Sequence, residues 1–226
     1  MKRNPTLAAI SISMKSLALA AAFAVTVPAV ASAQAAAQGA PVGATPSKLV
    51  LDNSTRILTT LETRRAEFTK NRGVLRQFVS SEFNAMFDRD YAARLVLGVH
   101  GRGASEGDVK LFADALADNL MSRYGDSLLD FNTRLKVRVK SERALPNNRG
   151  VLVSSEFIRQ AGEPIPVSYY MRQTAGGWKV FDVSVEGVSF VQTFRSQFDG
   201  PLKRKSIAQV AADLKAGRLQ AGAETN

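Results

Sequence analysis

Apolar residues recur at helical spacing through the first half of the chain and alternate at strand spacing later, and this change of period outlines the fold. From Ser47 to about Lys70, Leu49, Val50, Ile57, Leu58, Leu61 and Phe68 fall near helical spacing with polar residues between them. They predict an amphipathic helix, interrupted near Asn53-Ser54. Val74, Leu75, Phe78, Val79, Phe83 and Phe87 continue the helical repeat, and Asp88 is placed to cap a short helix carrying Tyr91, Leu95 and Val96. Gly98, Gly101, Gly103 and Gly107 then break the pattern, and Ser105 and Asp108 are spaced as an N-cap and its capping-box partner. The long helix they open has a stripe of Val109, Phe112, Leu116, Leu120 and Tyr124, with Gly125 as a stop or kink before Leu128, Leu129 and Phe131.

The period then becomes two. Leu135, Val137 and Val139 alternate with Arg134, Lys136, Arg138 and Lys140, which predicts a strand with one apolar and one charged face. Pro146-Asn147-Asn148 reads as a turn, and three further strands follow: Val151 to Arg159, Pro166 to Thr174 and Trp178 to Val185. Short links between consecutive strands predict an antiparallel meander. After Glu186-Gly187, Phe190, Val191, Phe194 and Phe198 return to helical spacing, and Ile207, Val210, Leu214 and Leu219 predict a closing helix. The expected class is α+β: N-terminal helices, a four-stranded antiparallel sheet and C-terminal helices, with helices covering one sheet face.

The N-terminus reads as an address. Lys2, Arg3 and Lys15 precede the apolar run Leu17 to Val27; Pro28 and then Ala31-Ser32-Ala33 supply a break and a small-residue cleavage site. Residues 1–33 are therefore expected to be a signal peptide cleaved after Ala33, because the run is shorter than the ~20 residues of a spanning helix. Met14 is an alternative start that gives the same mature product. Residues 34–46 read as a flexible lead-in, 47–220 as the folded domain and 221–226 as a tail.

Composition narrows the chemistry. The 226 residues are 45% hydrophobic and 22% charged, which suits one globular domain or two small ones. No cysteine and a single histidine, His100, exclude thiol nucleophiles, disulfides and metal sites built on cysteine or paired histidines. The formal charge of +10 suggests a polyanion, but removing Lys2, Arg3 and Lys15 leaves 27 basic against 20 acidic residues, or +7. Outside the cytoplasm the polyanions on offer are lipid headgroups and envelope polymers, so no nucleic-acid role is expected.

Four constellations are candidates for function. Asp182 and Glu186 suggest a general acid and base, with solvated strand-end charges or partners for Arg172 and Lys179 as the plainer reading. His100 lies in a glycine-punctuated loop that fits neither nucleotide-binding spacing and lacks a nearby G-x-S-x-G serine. The row Arg134, Lys136, Arg138 and Lys140 reads as a surface for acidic partners or as a solvated strand face. Finally, Phe78, Phe83, Phe87, Tyr91, Phe112, Leu116 and Tyr124 in the helices, and Val137, Val139, Phe157, Tyr169, Met171, Val183 and Val185 in the sheet, are either ordinary core or the lining of a pocket between layers.

Several segments resemble the MlaC family, also called the toluene-tolerance auxiliary component family. One is Arg72-Gly73-Val74-Leu75 through Phe87-Asp88, followed by Tyr91-Ala92-Ala93-Arg94-Leu95-Val96-Leu97-Gly98. Another is Phe112 to Tyr124. The most specific is Gly177-Trp178-Lys179-Val180-Phe181-Asp182-Val183-Ser184-Val185-Glu186-Gly187-Val188-Ser189-Phe190-Val191, then Phe194-Arg195-Ser196-Gln197-Phe198. The resemblance spans about Leu51 to Leu219; His100 departs from it, standing where many members carry a tryptophan.

The resemblance implies a periplasmic phospholipid carrier and not an enzyme, with a curved sheet, an apolar cavity between sheet and helices, and phospholipid as cargo in place of a cofactor. It implies two partners, an inner-membrane MCE-domain complex of an ABC system and an outer-membrane lipoprotein–porin complex, and a role in outer-membrane lipid asymmetry. A secreted α+β enzyme acting on a small substrate is the alternative. Two acyl chains expose about 30 methylenes, so leaving them in water costs on the order of 20 kcal/mol. A carrier must therefore enclose them, and the purified protein is expected to carry lipid.

Overall fold

The computed structural model describes residues 44–125, 129 and 135–222. The expected signal peptide, most of the lead-in, Leu128, Phe131, Arg134 and the last four residues lie outside the described residues. Five helices come first: α1 Pro46–Thr63, α2 Arg65–Lys70, α3 Arg72–Met86, α4 Arg89–Leu97 and α5 Glu106–Tyr124. Strands β1 Lys136–Ala144, β2 Val151–Ile158, β3 Ile165–Thr174, β4 Gly177–Val185 and β5 Val188–Ser189 follow, then α6 Phe190–Leu202 and α7 Ile207–Lys215.

Local chemistry sets the helix ends. Asp88 and Ser105 cap as their spacing predicts: Tyr91 N–H donates to Asp88 Oδ1 at 3.1 Å, and Asp108 N–H to Ser105 Oγ at 3.0 Å. Thr45, Asn71, Ser189 and Ser206 cap four more helices in the same way. The expected interruption at Asn53-Ser54 is absent; α1 runs on to Thr63, and the break falls at Arg64. Ser54 tolerates the helix because its small side chain is fully buried, its Oγ 3.3 Å from the hydroxyl of Tyr169. The closing helix is shorter than its apolar spacing suggests. It ends at Lys215, and after Gly217 at φ 68° the chain turns back, Arg218 and Leu219 N–H donating to the Asp213 carbonyl. Ala221, where the tail was expected to begin, is fully buried and donates its N–H to Asn119 Oδ1 at 2.9 Å.

The sheet is antiparallel in the order β1-β2-β3-β4-β5, so it has five strands where the alternation predicts four. Two-residue β5 was hidden because Glu186 and Gly187, both at positive φ, turn the chain tightly enough for Val188 and Ser189 to pair with Val185 and Ser184. At the other turn, Asn147 and Asn148 take φ 58° and 53°, and Gly150 takes φ 133°. A Cβ on Gly150 would stand 1.9 Å from the Met171 carbonyl oxygen. Gly150→Ala is therefore expected to cost about 3 kcal/mol through backbone strain and forced separation of β2 from β3, read as a lower urea midpoint. An unchanged midpoint would contradict that close approach.

Three apolar clusters hold the fold. One lies between the sheet and α1, with Leu49, Val50, Val153, Tyr169, Met171 and Val183 among its buried members, and Val137 and Val139 packed at its margin. Burial raises the Tyr169 phenol above its ordinary value despite the Ser54 hydrogen bond. A second joins α1, α2 and α3 around Ile57, Phe68, Leu75 and Phe78. A third joins α4 through α7 around Val96, Phe112, Phe198 and Leu214.

The charged sheet face is less cationic than its sequence suggests. Glu156 on β2 pairs with Arg138 and, at 3.2 Å, with Lys140 on β1. Arg138's hydrogen bond and then Lys140's draw the Glu156 carboxyl below its usual range, against desolvation. Two of the row's cations are thus engaged within the sheet, because Glu156 sits directly opposite Arg138 on the paired strand and within reach of Lys140 at the neighbouring bulge.

Candidate functional site

A register shift in β4 shapes the site. Tyr170 pairs with Asp182 but Met171 pairs with Val180, which leaves Phe181 as an extra residue in the strand. Residues Val180 through Val185 are consequently buried without alternation. Val180, Val183 and Val185 join the sheet core, while Phe181 meets the edge of the Tyr91 ring at 5.3 Å.

The helices around β4 are tied to it at two points. At the α3–α4 junction, Asp88 N–H donates to the Val180 carbonyl at 2.8 Å, Arg172 pairs with Asp88 at 2.6 Å, and the Lys179 amine donates to the Ala85 carbonyl. At the start of α6, Asp182 accepts from Ser189 Oγ at 2.5 Å and from Val191 N–H at 3.0 Å.

Between these ties lies an apolar cavity of about 80 Å³. Its wall comprises Phe83 and Phe87 from the end of α3, Ala92, Ala93 and Val96 from α4, and Ala113, Leu116, Ala117 and Leu120 from α5. Phe181, Asp182, Val183 and Val185 of β4, Phe190, Val191 and Phe194 of α6, and Arg89 of α4 complete it. Members of all three apolar clusters reach this wall, so the cavity marks where they meet without interpenetrating.

Five of the residues proposed from sequence line the cavity: Phe83, Phe87, Leu116, Val183 and Val185. The others lie elsewhere. Phe78 stacks on Phe68 at 5.2 Å, and Phe112 meets Phe198 edge-on at 5.5 Å in the helical core. Tyr91 stands between Phe181 and the Arg172 guanidinium, and Tyr124 packs against Gly222. Val137, Val139, Phe157, Tyr169 and Met171 belong to the sheet cluster under α1. Periodicity missed Phe181, which the bulge turns inward, and the alanines, whose small side chains leave the space. Ala113, Leu116, Ala117 and Leu120 do follow helical spacing, and small residues within such a stripe are the signal that could have found them.

The polar residues considered for catalysis are held apart. His100, in a 3-10 turn over Gly98–Gly101, has Nε2 2.9 Å from Asp199 Oδ1 on α6. Glu186 is exposed on the β4–β5 turn, whereas Asp182 is buried, so the two carboxylates do not share a face. Asp182 is paired with neither Arg172 nor Lys179, whose partners are Asp88 and the Ala85 carbonyl. Its work is to join β4 to the N-terminus of α6.

Burial pushes the Asp182 carboxyl above its ordinary value, against its hydrogen bonds from Ser189 and the backbone. The folded protein therefore holds this proton more tightly than the unfolded chain does. Ionisation costs stability above the folded pKa, and the cost disappears below the ordinary carboxylate value of about 4. Asp182→Asn keeps an acceptor for Val191 N–H and removes that cost. It is expected to raise the melting temperature near neutral pH, with the advantage shrinking as the pH falls toward about 4. A loss of stability that does not vary with pH would contradict the assignment.

Comparison with known proteins agrees with this architecture. The family described as MlaC protein matches residues 51–216. Toluene tolerance protein ttg2D of Pseudomonas putida is 25% identical over 161 residues, 71% of this chain and 74% of that protein. The intermembrane phospholipid transport system binding protein MlaC of Haemophilus influenzae is 22% identical over 179 residues, 77% and 83% of the two chains. A phospholipid-binding protein from Ralstonia solanacearum, solved in complex with a phospholipid, shares the fold with a TM-score of 0.61 at 22% identity, covering 71% of this chain and 90% of that one. The match over residues 51–216, with helices and an antiparallel sheet arranged as in that relative, places this chain in the MlaC family.

Proposed function

We propose that this protein is a periplasmic phospholipid carrier that takes the acyl chains of a diacyl phospholipid between its sheet and its helices. It moves lipid between an inner-membrane MCE-domain complex of an ABC system and an outer-membrane lipoprotein–porin complex, and so maintains outer-membrane lipid asymmetry. The cavity between β4 and helices α3 to α6 carries the reading, since its wall is almost wholly apolar and lies in a fold shared with a protein solved with phospholipid. The relatives' names, a phospholipid transport binding protein among them, support the same function. The carrier performs exchange and not catalysis.

The cavity's size adds a mechanical requirement. At about 80 Å³ it is smaller than the ~150 Å³ void that admits a benzene molecule, and two acyl chains need far more. Tails therefore enter as the helical layer parts from β4, with the hydrophobic seam between the three clusters as the plane of separation. A donor bilayer is as apolar as the cavity, so transfer stays near balance and contacts with the partner complexes set its direction.

Native mass spectrometry of protein purified from the periplasm without detergent, with analysis of the extracted lipid, tests this. The expected result is a bound mass equal to one diacyl phospholipid. A bare polypeptide that takes up no lipid from added vesicles would overturn the reading.

A further inference from the structure

The apolar cavity has a polar neighbour. It shares Phe87 and Arg89 with an open cleft of about 390 Å³ whose character is opposite. The cleft is lined by the cations Arg89, Lys110 and Lys179 and the carboxylates Asp88, Asp90 and Asp114. Arg89 stands on the wall of both. Its Nη1 donates to Asn84 Oδ1 at 2.7 Å and its Nη2 to Asp114 Oδ1 at 2.6 Å, while its guanidinium lies 5.9 Å from the centre of the Phe83 ring. Its Nε is buried without a hydrogen-bond partner, the one such side-chain atom among the described residues.

We infer that the junction at Arg89 is a phosphodiester subsite, with the cleft beyond it receiving the polar headgroup of the cargo. The inference rests on the carrier reading and goes beyond it by assigning the lipid's phosphate to named side chains. In a phospholipid the phosphate sits where tails give way to headgroup, and in this protein Arg89 sits where the apolar wall gives way to charge. A buried N–H without an acceptor is costly, and a phosphoryl oxygen is the acceptor it lacks. Guanidinium is also the side chain best matched to phosphate oxygens. Lys110, 3.1 Å from Asp114 Oδ2, lines the same cleft and adds a second cation to it. Asp114 is already engaged by Arg89 and Lys110, which leaves Asp90 on the cleft wall as the carboxylate that would face the ammonium of a zwitterionic headgroup.

The test compares lipids with and without a phosphate. Delipidated full-length mature protein is offered vesicles containing equal amounts of dioleoyl phosphatidylethanolamine and dioleoylglycerol, and bound lipid is read by mass spectrometry. Wild type is expected to favour the phospholipid, and Arg89→Met to lose about tenfold of that preference, the size expected for one charge-assisted hydrogen bond. Arg89→Lys keeps the charge without the Nε donor and is expected to lose part of it. It also serves as the readout if Arg89→Met fails to fold. An unchanged preference in folded variants overturns the subsite. Inorganic phosphate separates the two sources of the same chemistry. If it stabilises wild type but not the variants, while lipid preference is the same in all, the site takes free phosphate and the headgroup assignment is overturned. Wild type that takes up both lipids equally overturns the subsite alone, and wild type that takes up neither overturns the carrier reading with it.

Discussion

Ala117→Phe is expected to remove most of the phospholipid that the purified protein is proposed to carry while leaving it folded, with a melting temperature close to wild type. Ala117 is half-buried on α5, one turn beyond Ala113 and between Leu116 and Leu120, and all four face the cavity. A phenyl ring there occupies the space into which the first acyl methylenes must insert. Overpacking costs about 1–3 kcal/mol, but burying the added ring contributes about 1.5–3 kcal/mol, so the two nearly offset. The lipid has no such compensation, because it must now displace a covalently held ring. Phosphorus per mole of protein in an organic extract, beside a thermal melt, checks this. Retained phosphorus at wild-type level would mean that the tails lie elsewhere.

Phe112→Ala is expected to do the reverse. Phe112 is on the same helix and fully buried, but its ring packs edge-on against Phe198 among α4 to α7 and does not line the cavity. Truncating it removes buried aromatic surface and leaves a void, at a cost of about 3–5 kcal/mol. For a domain of this size that lowers the melting temperature by roughly 6–20 °C. The folded fraction should still carry phospholipid. A melt unchanged by the substitution would contradict the packing described for this core, and lipid lost without destabilisation would move Phe112 to the cavity. Together the two variants separate what holds the fold from what holds the cargo, on residues only five positions apart.

That separation also marks how far the sequence could be read. Asp88 and Ser105 cap the helices they were expected to cap, and β2, β3 and β4 begin and end within one residue of their predicted bounds, while β1 runs on to Ala144, past the alternation that ended at Lys140. Such features are local: a cap depends on a side chain and an N–H three residues away, and a strand on alternation along itself. The errors fell where a distant contact overrode the local signal. Asn53-Ser54 looked like a break, but Tyr169 receives Ser54 from the sheet. Leu219 looked like the last turn of a helix, but Gly217 and the Asp213 carbonyl turn the chain back.

The candidate site was legible only in part. Phe83, Phe87, Leu116, Val183 and Val185 line the cavity, yet Phe112, Phe157, Tyr169 and Met171 have the same apolar character and pack into solid core. Periodicity reports which residues leave water, and a core position and a cavity wall leave it equally. Phe181 escaped because an extra residue in β4 shifts the register, and strand phase has no term for a bulge.

By itself the sequence determined the α+β class, the order of the helices and the four longer strands, the caps at Asp88 and Ser105 and the resemblance to a lipid-binding family, because each is written in spacing or motif along one stretch of chain. Only the tertiary structure decided where three apolar clusters meet without filling the space between them, that alanines on α4 and α5 line that space, and that Arg89 lines both it and the charged cleft beside it. A cavity is a property of what neighbouring elements fail to fill, and no single segment specifies that.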